Sequence, residues 1–125
     1  MDFLRAVMTE TELRLPRANE ATIRPSKLRD YALNADHHGD GADKARVFAS
    51  ALGFRQEHWE DLRQQILERL PRSDVHSIEP RRRGGFTYRV TIWIDGPNGA
   101  RHPVAIRWIL ADGEPPWLST LWVDF

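Results

Sequence analysis

The chain has 125 residues, 41% of them hydrophobic, with five Trp, five Phe and two Tyr. That is one domain's length with enough large apolar surface to offset the ordering entropy of folding, which excludes a disordered chain and a pair of separate cores. Eighteen basic and eighteen acidic residues cancel, so no global field draws the protein to nucleic acid or anionic lipid, and such binding would need a local patch. The absence of cysteine excludes disulfides, thiolate chemistry and Cys-containing zinc sites. No apolar run reaches the length of a signal-peptide core or a membrane span, so a cytoplasmic protein without a membrane partner is expected.

Residues Met1 to Leu13 carry no helix-end signal, although Phe3, Leu4, Val7 and Met8 share one side of a short helical projection. Residues 1–14 are therefore expected to form an N-terminal arm and residues 15–125 a single α+β domain. Arg24 before Pro25 reads as an extended residue feeding a helix, because proline suits a first turn. Leu28, Tyr31 and Ala32 then fall on one helical face ending near Asn34. After a loop, Asp40 is placed to cap a second helix from Gly41 to Leu52, with Ala45, Phe48, Ala49 and Leu52 as its apolar face and Gly53-Phe54 as a left-handed end. Trp59, Leu62, Ile66 and Leu70 mark a third helix, stopped by Pro71.

From Asp74 the period changes to alternation, interrupted by turn signals at Arg83-Gly84-Gly85, Pro97-Asn98-Gly99 and Asp112 to Pro116. Four strands are predicted, Val75 to Glu79, Phe86 to Ile94, Arg101 to Leu110 and Trp117 to Asp124, in an antiparallel meander. Phe86, Tyr88, Val90, Ile92 and Ile94 share one side with Val104, Ile106, Trp108 and Leu110, and form the predicted core face. The other face would carry Arg89, Arg107 and, on the last strand, Leu118, Thr120 and Trp122.

The segment from His37 to Ala45 is the most informative for chemistry. Lysine near a helix start is electrostatically misplaced, because unpaired N–H groups already make that end positive, so Lys44 points to a nearby anion such as phosphate. Gly41 would let backbone approach it, and His37 and His38 would bind phosphate or move protons near neutral pH. The plainer reading pairs Lys44 with Asp40 or Asp43 and leaves the histidines in solvent. Adjacent His37 and His38 lack metal-ligand spacing, so no metal and no cofactor are expected. Arg81-Arg82-Arg83 makes a basic hairpin tip, either a phosphate contact or a solvated turn. On the polar sheet face Arg89, Arg107, Thr120 and Trp122 offer guanidinium groups, a hydroxyl and an indole to a nucleotide, or simply the amphipathic surface of a covered sheet.

Leu15-Pro16, Lys27 to Tyr31, Asp36-His37, Gly41, Lys44-Ala45, Phe48, Leu52 to Phe54, Pro97 to Gly99, Arg107 to Ile109, Pro116, Leu118 and Thr120 occur in an order and spacing that resembles a family of uncharacterised bacterial domains. The resemblance spans Leu15 to Trp122 and implies a module found alone or at the C-terminus of polymorphic toxins. Position by position it points to His37, Gly41, Lys44, Arg107 and Thr120. The chain departs from the pattern at His38, where the family has proline, in a loop one residue longer, and at Trp122-Val123 in place of an aromatic-proline ending. Helices followed by a four-stranded antiparallel sheet are also similar in order to the barnase, EndoU, colicin and RelE group of ribonucleases.

Together these readings lead to a metal-independent, RNA-directed phosphodiesterase of a toxin type. His37 or His38 would act as acid or base, Lys44 and Arg107 would stabilise phosphate charge, Thr120 would orient an oxygen, and Gly41, Arg89 and Trp122 would contact substrate. The alternative is a non-catalytic module whose sheet face docks a protein partner.

Overall fold

The computed structural model describes residues 13–36 and 39–125, and of residue 40 the backbone alone. Met1 to Glu12 of the expected arm, His37, His38 and the capping role assigned to the Asp40 side chain lie outside the described residues. The order is the expected one, helices and then a sheet.

Proline opens the first helix, α1 (Pro25–Lys27), where its missing N–H has no intrahelical partner to lose. The helix then widens into a π turn, Leu28–Ala32, and the Leu33 N–H donates to the Leu28 carbonyl at 2.9 Å. Just before it, Thr22 lies alongside the last strand, its N–H donating to Pro116 and its carbonyl accepting from Leu118.

Helix α2 (Asp40–Leu52) begins one residue before the expected start, with Gly39 rather than Asp40 at the cap. Gly39 has φ 76° and ψ −144°, a conformation that residues with a Cβ resist. Ala42, Ala45, Phe48 and Leu52 are buried. Ala49, expected on the same face, is exposed, because its short side chain borders an open groove between residues 33–36 and 54–56. Gly53, at φ 79°, turns the chain left-handed so that Phe54 drops into the core.

Helix α3 (Trp59–Arg69) buries Leu62 and Ile66, and Pro71 lies in the short 3-10 turn that follows. Gln65 fastens it to the sheet. Its amide nitrogen donates to the Asp95 carbonyl at 2.9 Å, and its amide oxygen accepts from the Asp95 N–H at 2.9 Å and from Arg69 at 3.0 Å.

The strands are β1 (Val75–Pro80), β2 (Phe86–Asp95), β3 (Arg101–Leu110) and β4 (Trp117–Val123), antiparallel in the order β1-β2-β3-β4. Val90, Ile92, Ile94, Val104, Ile106 and Trp108 face the helices and are buried, as the alternation predicts. Phe86, predicted with them, is 44% exposed. Gln65 and Arg69 anchor the helical layer at the Asp95 end of β2, and Phe86 sits at the other end of that ten-residue strand.

A second correction concerns β4. Thr120 lies opposite Arg107 and Leu118 opposite Trp108, so Ser119 is an extra residue and forms a bulge. The bulge reverses the alternation. Leu118, expected beside Thr120 and Trp122 on the polar face, is instead in the core at 1% exposure.

The turn after β2 reaches back to α2. Asn98 donates from its backbone to the Leu52 carbonyl at 3.2 Å and from its side chain to the Ala51 carbonyl at 3.4 Å, satisfying acceptors that a helix end leaves open. A Cβ on Gly96 would run into the Leu52 carbonyl. Gly96→Ala should therefore cost about 2–3 kcal/mol, the range of overpacking at a site that cannot relax, read from urea unfolding midpoints.

Burial raises the Tyr88 phenol above its ordinary value. The folded chain then holds this proton more tightly than the unfolded chain, so the stability involved is complete below the unfolded pKa and is lost as pH rises through the folded one. Tyr88→Phe should flatten the fall in melting temperature above about pH 10. An unchanged slope would show that Tyr88 does not contribute to alkaline unfolding.

Candidate functional site

Lys44 leaves its own helix. Its Nζ donates to Thr120 Oγ1 on β4 at 2.8 Å across 76 residues of chain, and lies 5.3 Å from the centroid of the Tyr31 ring. Of the two local carboxylates considered for it, Asp43 is engaged by Arg46 at 2.6 Å, and the Asp40 side chain is outside the described residues. The bond is partly buried. A threonine oxygen that accepts from an ammonium group keeps its own O–H as a donor, and the ammonium keeps two further N–H donors. Tyr31 is positioned by the π turn of α1, a distortion frequent at functional sites.

Arg107 is Thr120's partner in the β3–β4 register, so the two lie side by side. On the same face two guanidinium groups lie against the Trp122 ring, Arg107 at 5.0 Å and Arg89 at 5.2 Å from its centroid. Each such contact contributes roughly 0.5–1 kcal/mol when exposed and up to about 2 when dry. Arg89 also pairs with Asp124 at 3.2 Å, while its Nε is buried without a partner. Ala105, between Thr91 and Trp122 in the register, is fully buried although it faces away from the helices. The two arginines and the Trp122 ring thus cover the middle of the outer sheet face and bring Arg89, Arg107, Thr120 and Trp122 into one patch.

This whole arrangement, from Arg14 to Asp124, falls within one family. Residues 14–124 match the family described as Domain of unknown function (DUF6883). The chain belongs to that family. No curated protein and no solved structure matches it.

In this DUF6883 chain, then, Lys44, Thr120 and Arg107 meet, and Arg89 and Trp122 adjoin them. Gly41 is buried in the first turn of α2, three residues before Lys44. Where His37 and His38 stand relative to the patch lies outside the described residues. The Arg81-Arg82-Arg83 tip is the β1–β2 connection, and its strands are separated from β4 by β3. Among the described residues no group of three or more His, Asp or Glu is arranged to hold a metal ion, and no helix is long and apolar enough to cross a membrane.

Two participants were not singled out from the sequence. Tyr31 reads from the sequence as part of an apolar helix face and of the segment that carries the resemblance, and Asp124 only as the end of a strand. The one signal for Asp124 was its position two residues beyond Trp122, on the same side of the strand as that ring.

Thr120→Val keeps the side-chain shape and removes the acceptor for Lys44. It should cost about 1 kcal/mol in urea unfolding, the net worth of one such bond, and leave the fold's far-ultraviolet circular dichroism unchanged.

Proposed function

We propose that this chain is a ribonuclease-like phosphodiesterase that cleaves RNA without a metal ion, with the reacting phosphate beside Lys44, Thr120 and Arg107. The observation that carries the reading is the 2.8 Å bond from Lys44 to Thr120. It holds a cation and a hydroxyl donor next to a second cation, Arg107, at the edge of an exposed sheet face. Positive charge and preorganised donors together are what a phosphorane-like transition state requires.

In the reaction, His37 or His38 takes the proton of a ribose 2'-hydroxyl as its oxygen bonds to the adjacent phosphorus. The bond from phosphorus to the 5'-oxygen breaks, and that oxygen receives a proton from the other histidine or from water, leaving a 2',3'-cyclic phosphate. Lys44 and Arg107 stabilise the equatorial oxygens, and the Thr120 O–H donates to one of them. Gly41 keeps the start of α2 narrow beneath the phosphate, and Arg89 and Trp122 hold the neighbouring nucleotide. Kinship with the barnase, EndoU, colicin and RelE group, a toxin setting and a cytoplasmic site of action belong to the same proposal, the first supported only by the order of helices and sheet.

The competing reading, a protein-docking module, calls for tryptophans exposed on an edge strand. Trp117 and Trp122 of β4 are only partly exposed, and Trp122 is enclosed by Arg89 and Arg107.

Purified wild type should degrade single-stranded RNA equally with and without a chelator, and Lys44→Ala should lower the rate about 100-fold or more. RNA left intact by the wild type sinks the enzymatic reading, and activity that a chelator abolishes and magnesium restores sinks its metal-free form.

A further inference from the structure

A second cluster lies on the same outer face, away from Lys44. Trp93 of β2 is 51% exposed and lies beyond the end of β1, whose pairing with β2 stops at Val75 opposite Val90. It separates two grooves. One, of about 380 Å³, is lined by Arg72, Asp74, His76 and Thr91 among others, and the second, of about 290 Å³, by Arg69, Arg72 and Arg101. The first reaches the size of a small-ligand site, which begins at roughly 300 Å³.

Arginines contact both the backbone and the ring of this residue. Arg69 donates to the Trp93 carbonyl at 2.8 Å, and the Arg101 guanidinium lies 5.5 Å from the ring centroid. His76 is the extra residue of a second bulge, in β1 between Val75 and Ser77, and is turned out to the surface at the groove. Such bulges re-aim side chains.

The charges do not balance locally. Asp74 is paired with Arg14, and Asp95 with Arg69 and Arg101. Among the described residues Arg72 has no ion-pair or hydrogen-bond partner, and no carboxylate pairs with His76. An exposed indole next to an unpaired guanidinium and an imidazole has the chemistry of a nucleotide site, with one surface for a base and one for a phosphate. An acidic peptide would satisfy Arg72 and His76 but leave the indole face unmatched.

We infer that Trp93, Arg72 and His76 form a subsite for one nucleotide of single-stranded RNA, the base stacking on Trp93 and its phosphate lying between Arg72 and His76. The inference rests on the phosphodiesterase reading and extends it, since Arg89, Thr91 and Trp93 follow one another on one side of β2. At strand spacings, Trp93 lies roughly 16 Å from Thr120. A chain with its reacting phosphate at Lys44 would cross the Trp122 stack and reach Trp93. The subsite thus selects for RNA longer than a dinucleotide.

The test measures binding and cleavage separately, using a fluorescein-labelled uridine oligomer at low salt for anisotropy and a uridine dinucleotide as a minimal substrate. Trp93→Ala should weaken oligomer binding roughly 5- to 100-fold, and Arg72→Ala should weaken it too and reduce its salt dependence. Dinucleotide cleavage should be unchanged in both. Trp93→Phe, which retains a ring, should recover part of the binding and controls for any loss of folding.

Oligomer binding that both alanine variants weaken, without cleavage by the wild type, keeps the subsite and overturns the phosphodiesterase. Cleavage with both alanine variants binding as tightly as wild type overturns the subsite alone. No oligomer binding overturns the subsite, and no cleavage besides overturns both. Displacement of the oligomer by an acidic peptide at equal concentration would also overturn the choice of RNA.

Discussion

The contact on which the rest of the architecture depends is between the C-terminal carbonyls of α2 and the turn that joins β2 to β3. A helix end leaves acceptors open, and a helix packed on a sheet must find donors for them or leave them to water. Here Asn98 supplies the donors, and Gly96 lets the two backbones close to a distance that a side chain would forbid. Gln65 of α3 makes the corresponding attachment a few residues away, at Asp95. The helical layer is thus fixed at one end of the sheet. The direction of α2 follows from that attachment, and with it the ability of Lys44, two turns or more from the fixed end, to meet Thr120.

On the outer face the organising element is Trp122. An indole in contact with two guanidinium groups gives the arginines a shared apolar surface without a carboxylate for each, and Asp124 pairs only with Arg89. Arg107 therefore keeps its hydrogen-bonding edge available next to Thr120. The overall neutrality of the chain conceals this, because several of its acidic residues stand in local pairs away from the patch, such as Arg17–Glu20, Arg29–Asp30 and Arg46–Asp43. Within the first two pairs the side-chain hydrogen bond holds the carboxyl below its usual range and the guanidinium above its own. They lie on exposed surfaces and contribute little to stability.

Much of the fold was legible in the sequence because its signals are local. Proline and glycine mark the ends of α1 and α2, the spacing of Leu62, Ile66 and Leu70 marks α3, and alternation marks β2 and β3. What escaped was the bulge at Ser119, since nothing in Trp117 to Val123 distinguishes a regular alternation from one with a residue added. That bulge decides which side Leu118 faces. The π turn was equally invisible, because Leu28 and Ala32 are as compatible with an α-helix. For the candidate site, the misplaced charge of Lys44 was readable from electrostatics alone. Its partner Thr120 was readable as a hydroxyl on the polar sheet face and through the resemblance, but their pairing was not, because a bond across 76 residues leaves no periodic trace, and Tyr31 gave no signal beyond apolar spacing and the resemblance.

The two bulges have a bearing on the behaviour of the sheet as a material. An open four-stranded sheet has two edges, each a row of backbone donors and acceptors able to recruit another chain. In this protein both edge strands are irregular, β1 at His76 and β4 at Ser119, and Thr22 lies along part of β4 as well. A bent, interrupted edge is a poor template for a second strand. The same irregularities that aim His76 and Thr120 outward therefore oppose the growth of the sheet from one molecule into the next.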